Sequence, residues 1–295
     1  MHFALDARLP YYTGGGISRY VRQLAARLPA LDPDNRYTVL HRRGHAETLC
    51  AAPGQRADVW TPAHHPLERW TLGAELLPRR LDLLHSPDFI PPAWGARRFV
   101  ITVHDLTFLL YPDFLTGESR RYYNAQIAWA VRRADAISAD SAATRADLIR
   151  LLAVPEEKIT VVHLACDPAF GPLSPEQIRP ALARLGLAPG YLLFVGTFEP
   201  RKNVPGLLRA YAQLRADLPD APPLVLAGRR GWLFDSARAL VAELKLESVV
   251  RILKDVPEAD LPALYNGAAA FVLPSHYEGF GIPLLEALAC GTPAL

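Results

Sequence analysis

An α/β protein built from two successive doubly wound parallel-sheet domains is the fold class the sequence predicts, and three observations carry that reading. Short apolar runs alternate with longer segments of helical periodicity along almost the whole chain, the pattern of βαβ units. Pro168, Pro172, Pro175 and Pro180 cluster where this alternation breaks and then restarts, which reads as a boundary between two such domains. The residues of greatest chemical interest lie in loops that follow strands, where open parallel sheets gather their ligands.

The elements follow in order. Phe3-Ala4-Leu5 opens as a strand, and a glycine-rich loop leads into a helix over 18–28, whose apolar positions recur at helical spacing. Tyr37-Thr38-Val39-Leu40 is the second strand, Asp82-Leu83-Leu84-His85 and 99–103 the next two, and Ala136-Ile137-Ser138-Ala139 and Thr160-Val161-Val162 complete the set. Helices over 118–133 and 142–152 lie between them. Past the prolines, strands over 191–195, 224–227, 249–253 and 269–273 alternate with helices over 204–214, 236–244 and 260–267, and a last helix opens near Pro283. The expected division is a first domain over 1–170, a proline-rich linker over 171–188 and a second domain over 189–295, with a cleft between the domains.

Composition narrows the function. A chain of 295 residues, half of them hydrophobic and 21% charged, can bury real cores and is not disordered. A formal charge of only +2 argues against a dedicated nucleic-acid binder, although arginine pairs such as Arg42-Arg43 and Arg79-Arg80 recur in the first half. Cys50, Cys166 and Cys290 are odd in number and far apart, so neither a disulfide framework nor a zinc site is indicated. The opening residues lack a signal-peptide pattern, and no apolar run approaches the roughly 18 residues of a membrane span. A cytoplasmic protein is expected, with peripheral contact at the inner face of a membrane left open.

Strand 191–195 runs into Gly196-Thr197-Phe198-Glu199-Pro200-Arg201-Lys202-Asn203. Gly196 permits a tight turn, Asn203 suits a helix N-cap and Pro205 its first turn. A guanidinium, an ammonium and a helix N-terminus would converge there, which suits a diphosphate. An Arg-Lys pair also suits a solvated surface turn, so the placement after a parallel strand is what recommends the phosphate role. Farther on, Glu278 falls in the loop before the last helix and Glu286 on that helix. Gly279, Phe280 and Gly281 lie between, the glycines leaving room for a ligand near backbone N–H groups. Carboxylates bind vicinal diols well, so two of them suit a ligand with two hydroxyl clusters and a diphosphate between, the shape of a nucleotide sugar.

The segment 277–293 closely resembles the Glu-x7-Glu segment of glycosyltransferase family 4, retaining enzymes of GT-B fold, and 196–203 resembles that family's Gly-x-x-x-Pro-Arg-Lys-Asn loop. The resemblance runs from the first strand to the last residue. It implies a GT-B fold of two Rossmann-like domains facing a cleft, the second incomplete at the C-terminus. It implies that Arg201 and Lys202 hold the donor diphosphate, that Glu278 contacts donor-sugar hydroxyls and Glu286 the ribose, and that Lys254-Asp255-Val256 passes near the base. Gly15 and Gly16, in the loop 13–20 after the first strand, would face the diphosphate. His104, at the end of strand 99–103, would face the donor sugar; a structural hydrogen-bonding role is its alternative. His85 and Asp105 are candidates for the acceptor side. His163 precedes Ala165-Cys166-Asp167, where many relatives have Asn-Gly and a small residue, which weakens a donor role for it.

The implied reaction moves a hexosyl unit, mannosyl favoured and from GDP-mannose, to a glycan or lipid-linked acceptor with retention. It passes through an oxocarbenium-like transition state, and Arg201 and Lys202 stabilise the leaving diphosphate. No cofactor and no metal are expected. Asp32-Pro33-Asp34 looks like a metal-binding aspartate pair, but Pro and Asp are routine turn residues between a helix and a strand. A nucleotide-sugar epimerase of related fold, or an inactive fragment that only binds sugar nucleotide, are the alternatives. Family members continue through further strands and helices beyond Leu295, so a C-terminally truncated chain is expected.

Overall fold

The two stretches of alternation fold as two separate units, Met1–His163 and Leu164–Leu295. The computed structural model describes residues 1–12, 14–114, 117–229, 231 and 233–295, without the side chains of Glu118 and Ser119.

The first unit runs β1 (His2–Asp6), α1 (Gly16–Leu31), β2 (Arg36–Arg42), β3 (Gln55–Val59), α2 (Glu68–Leu76), β4 (Leu81–Ser86), β5 (Ala96–Val103), α3 (Thr107–Leu110), α4 (Gly117–Arg133), β6 (Ala136–Ala139), α5 (Ala142–Leu152) and β7 (Ile159–Val161). Its seven strands are parallel, in the order β3-β2-β1-β4-β5-β6-β7. The order therefore reverses direction between β1 and β4. A parallel sheet needs cover on both faces, and consecutive residues show it. Leu5 and Val39 pack with Val21 and Ala25 of α1, whereas Ala4 and Leu40 pack with Leu72 and Leu76 of α2.

β3 and α2 are not evident from the sequence. Gln55-Arg56-Ala57-Asp58-Val59 buries only Ala57 and Val59, at the sheet edge, and α2 lacks an apolar stripe because its inward positions include Glu68 and Gly73. Gly73 is required there: a Cβ would come within 2.8 Å of the Trp94 ring.

The second unit runs α6 (Pro175–Leu185), β8 (Tyr191–Val195), α7 (Val204–Asp217), β9 (Leu224–Gly228), α8 (Phe234–Glu243), β10 (Val250–Lys254), α9 (Leu261–Asn266), β11 (Ala268–Phe271) and α10 (Ile282–Ala289). The four strands are parallel in the order β10-β9-β8-β11, with the reversal between β8 and β11. Beyond β11, Phe271 bridges to Ala294, its N–H donating to the Pro293 carbonyl at 2.7 Å. The stretch 171–188 contains α6 where a linker is expected. Proline fits the first turn of a helix, and Pro175 stands there behind Ser174, which forms a capping box with Gln177. Ile178, Ala181 and Leu182 then join the core around Tyr191 and Tyr265.

Between β1 and α2 a cation is buried. Arg8, only 1% exposed, donates to both Asp6 oxygens at 2.8 and 2.6 Å, to the Thr61 carbonyl at 2.8 Å and to Glu68. Burial raises the Glu68 carboxyl and Arg8 opposes that shift, the net direction being upward. Removing one member of such a set leaves the others charged in a dry setting, which costs about 3–5 kcal/mol. Arg8→Ala should lose that much in urea unfolding; a loss of under about 1 kcal/mol, the scale of an exposed pair, would mean the carboxylates are not held by Arg8.

Candidate functional site

In the second unit the chain leaves β8 through Gly196, whose carbonyl oxygen lies so close to the end of β9 that a Cβ on Gly228 would sit 1.8 Å from it. The next turn, 200–202, is a short 3-10 helix that aims two cations at one acid. Arg201 Nη1 donates to Glu278 Oε2 at 2.8 Å, and Lys202 Nζ to Glu278 Oε1 at 2.5 Å. Ser275 Oγ adds a hydrogen bond to Oε1 at 2.6 Å. The loops are tied by backbone too, the His276 N–H donating to the Arg201 carbonyl at 2.8 Å. These residues follow β8 and β11, the two strands between which the sheet order reverses, the place where open sheets bind ligands.

The charges are strained by burial and settled by each other. Lys202 is 5% exposed; burial and then Arg201 lower its ammonium, with Glu278 opposing. Burial works against the Glu278 charge as well, but Lys202, Arg201 and Ser275 outweigh it and hold the carboxyl below its ordinary range. Asn203 stands at the N-cap of α7 as expected, but its side chain does not cap the helix. Its φ is +53° and it makes no cap bond; its amide donates instead to the Pro274 carbonyl at 3.2 Å, stitching the two loops together.

Gly279 and Phe280 lead to Gly281, the N-cap of α10 with φ +89°, a conformation that favours glycine. Glu286, one turn into α10, is 3% exposed and accepts a hydrogen bond from Tyr265 Oη at 2.8 Å. The structure thus brings Glu278 onto Arg201 and Lys202, and gives Glu286 a different partner on α9. Lys254 and Asp255 pair at 3.3 Å on the surface.

In the first unit, Gly15 caps α1 with φ +124°, and a Cβ on Gly16 would meet open space. Thr13, at the head of that loop, lies outside the described residues. His104 follows β5. Its Nδ1 is 2.6 Å from Asp140 Oδ2 and its Nε2 2.9 Å from the Pro87 carbonyl. Burial pulls the imidazole down, yet Asp140, with help from Asp88, leaves it raised. His85 on β4 meets Thr102 Oγ1 at 2.8 Å, and burial together with His104 brings it down to about 4. Asp105 Oδ1 accepts from the Thr107 N–H at 2.9 Å, a local turn contact at the start of α3. His163 Nδ1 lies 3.2 Å from the Asp140 carbonyl.

The family model described as Glycosyltransferase Family 4 matches residues 14–170, and that described as Glycosyl transferases group 1 matches 184–295. The chain belongs to glycosyltransferase family 4. The region of this glycosyltransferase that aligns with the O-antigen chain mannosyltransferase B of Escherichia coli is 39% identical over 214 residues, 72% of the chain and 56% of that relative. A glycogen synthase of Mycobacterium tuberculosis is 31% identical over 224 residues, 72% of the chain and 51% of its own. The chain therefore spans about half the length of these curated relatives. Its fold is GT-B, shared with Anabaena HepE in complex with UDP and glucose, which superposes with a TM-score of 0.74 at 21% identity, covering 100% of this chain and 80% of that one.

In this glycosyltransferase Asp32 accepts hydrogen bonds from the Asn35 amide and from Tyr37 Oη at 2.6 Å, so it serves the turn before β2. Among the described residues no group of three or more His, Cys, Asp or Glu is placed to hold a metal, and no helix is long and apolar enough to cross a membrane. Asp140, Asp88, His64 and Ser275 stand in no motif of the sequence. Asp140 ends the run Ala136-Ile137-Ser138-Ala139-Asp140, so its position after a strand was the available signal. His64 binds Asp88, and no local pattern announces that pairing. For stability, a carboxyl depressed by folding contributes above its unfolded pKa and loses that contribution as pH falls through the folded value. Glu278→Gln should therefore be less stable than wild type at neutral pH, and the gap should close as pH drops below about 4.3. Unfolding curves across that range check it; a gap that persists unchanged in acid refutes the pairing.

Proposed function

We propose that the chain is the sugar-donor-binding and catalytic part of a retaining hexosyltransferase. It would move a mannosyl unit from a nucleoside diphosphate sugar, GDP-mannose being favoured, to a glycan or lipid-linked acceptor hydroxyl. The observation that carries the reading is the convergence of Arg201 and Lys202 on one carboxylate at the switch between β8 and β11. Two cations held this close, one of them buried, form a receptor for an anion, and Glu278 pairs with both. A donor diphosphate is a better occupant, since it brings more negative charge and more acceptor oxygens. On its arrival Glu278 is released from the cations and becomes available to the hydroxyls of the donor sugar.

The chemistry then follows from charge. Breaking the anomeric bond leaves positive character on the sugar and negative charge on the diphosphate, and Arg201 and Lys202 stabilise the latter in place. The departing phosphate oxygen takes the acceptor proton, so no protein nucleophile is needed and the acceptor enters on the face the leaving group vacates. In this reading the two side chains supply the positive charge at the diphosphate and no metal is given a part. Glu286 is assigned to the ribose and Gly15, Gly16, Gly196, Gly279 and Gly281 to close backbone approach by the donor. His85 and Asp105 stay assigned to the acceptor side, Asp105 through the turn it closes. The mannosyl preference is supported by the 39% identical relative named as a mannosyltransferase. A site of action at the cytoplasmic face of a membrane suits a lipid-linked acceptor.

A panel of nucleoside diphosphate sugars, each with and without glycan acceptors, tests the reading. Turnover of one donor that rises with acceptor is expected; epimerisation of the donor without any acceptor would sink the transferase. Arg201→Ala should lower kcat/KM by roughly 10²–10³-fold, as the loss of one charge-stabilising donor does elsewhere. Wild-type kinetics in that variant would remove the cation pair from the mechanism.

A further inference from the structure

His85 and His104 end neighbouring strands, and their surroundings drive them to opposite charge states. His85 is buried against Thr102 and held neutral, its value down at about 4. His104 faces two acceptors. A carbonyl oxygen cannot donate, so the Nε2 that lies 2.9 Å from the Pro87 oxygen must carry a hydrogen. Nδ1 lies 2.6 Å from a carboxylate oxygen of Asp140, and two bare lone pairs do not approach that closely, so a second proton lies on that line. Between a carboxylate of ordinary pKa about 3.9 and an imidazole of about 6.5, the imidazole is the stronger base. The proton belongs to Nδ1, and the ring is an imidazolium.

The neighbours agree. Asp140 is 2% exposed, and its Oδ1 is buried with no hydrogen-bond partner among the described residues. An ionised carboxylate that dry needs a compensating charge, and His104 supplies it. Other titratable groups around the ring are Asp88 beyond β4, His85 on β4, Asp105 next in the chain, and Tyr20 of α1, whose ring stands perpendicular at 5.1 Å between centroids. Of these, Asp88 favours the cation, and His85, being neutral, does not contest it.

We propose that Asp140 is a positioning residue that fixes His104 as a permanent imidazolium, so that His104 takes part in the transfer as a cation and not as a proton acceptor. The final clause rests on the transferase reading; the charge state does not. With both ring N–H groups committed to Asp140 and Pro87, His104 has no bare nitrogen with which to act as a general base.

Nitrogen NMR of the full chain labelled with 15N-histidine reads the ring directly, His104 being assigned by the signal lost in His104→Gln. At about pH 7.5, above the ordinary histidine value of about 6.5, both ring nitrogens of His104 should be protonated in wild type. In Asp140→Asn the ring should be neutral, and Asp140→Glu should restore the cation. A neutral His104 ring in wild type overturns the proposal even if Asp140→Asn fails to fold. For the functional half, donor turnover by wild type should be insensitive to pH between about 6 and 8. In Asp140→Asn it should fall as pH rises through the range where a free imidazole loses its proton. An Asp140→Asn enzyme with a neutral ring and a wild-type pH profile overturns that half. A chain that turns over no donor while its His104 is cationic counts against the transferase reading and leaves the charge assignment standing.

Discussion

Parallel strands cannot be joined by hairpins. Each must be reached by a crossover on one face of the sheet, so every strand in a unit ends at the same edge. Where the strand order reverses, the crossovers on either side depart to opposite faces and leave a gap at that edge. In the second unit the gap falls between β8 and β11 and holds Arg201, Lys202, Ser275 and Glu278. In the first unit it falls between β1 and β4, whose ends carry Asp6, Arg8, Ser86 and Asp88. Topology places the chemistry before any side chain is chosen.

What those places hold is charge taken out of water and resolved by pairing, and the ends of β5 and β6 do the same. Arg8 is shared by two carboxylates and a carbonyl, Lys202 and Arg201 share one carboxylate, and Asp140 faces His104. A buried ion without a partner would neutralise or unfold its surroundings, so these groups constrain the loops that bear them. The loop carrying Arg201 is tied to the 274–278 segment by two side-chain ion pairs, the Asn203 amide and a backbone hydrogen bond. The three pairings differ in one respect. Glu68 and Asp140 are buried, whereas Glu278 is only partly so.

Much of the architecture is legible along the chain because parallel, doubly covered strands read as short apolar runs. β8 is predicted to the residue, and β11 misses only at its ends, expected over 269–273 and found at Ala268–Phe271. Illegible elements share a cause. β3 buries two side chains of five, and α2 points a glutamate and a glycine inward, so neither shows the period that marks its type. The prolines of 168–180 read as punctuation, yet Pro175 begins a helix, since the first helical turn has no use for its missing N–H. For the site, Arg201, Lys202 and Glu278 were nameable from motif and position, and His104 from its place after a strand. Asp140 and Ser275 were not, because a partner 36 residues away, or a hydroxyl three residues before its acid, leaves no periodic trace.

By itself, then, the order of residues determined the class of fold, the alternation of its elements and the family, since these depend on local propensity, apolar period and contiguous motifs. The tertiary structure alone decided which charges meet. It set Glu278 across Arg201 and Lys202, Glu286 against Tyr265, and Asp140 against His104. The family resemblance implies two donor contacts for two glutamates eight residues apart in one motif, but the fold gives them unlike surroundings. Electrostatic partnership depends on distance through space and on exclusion of water, and neither quantity is written in the spacing of residues along the chain.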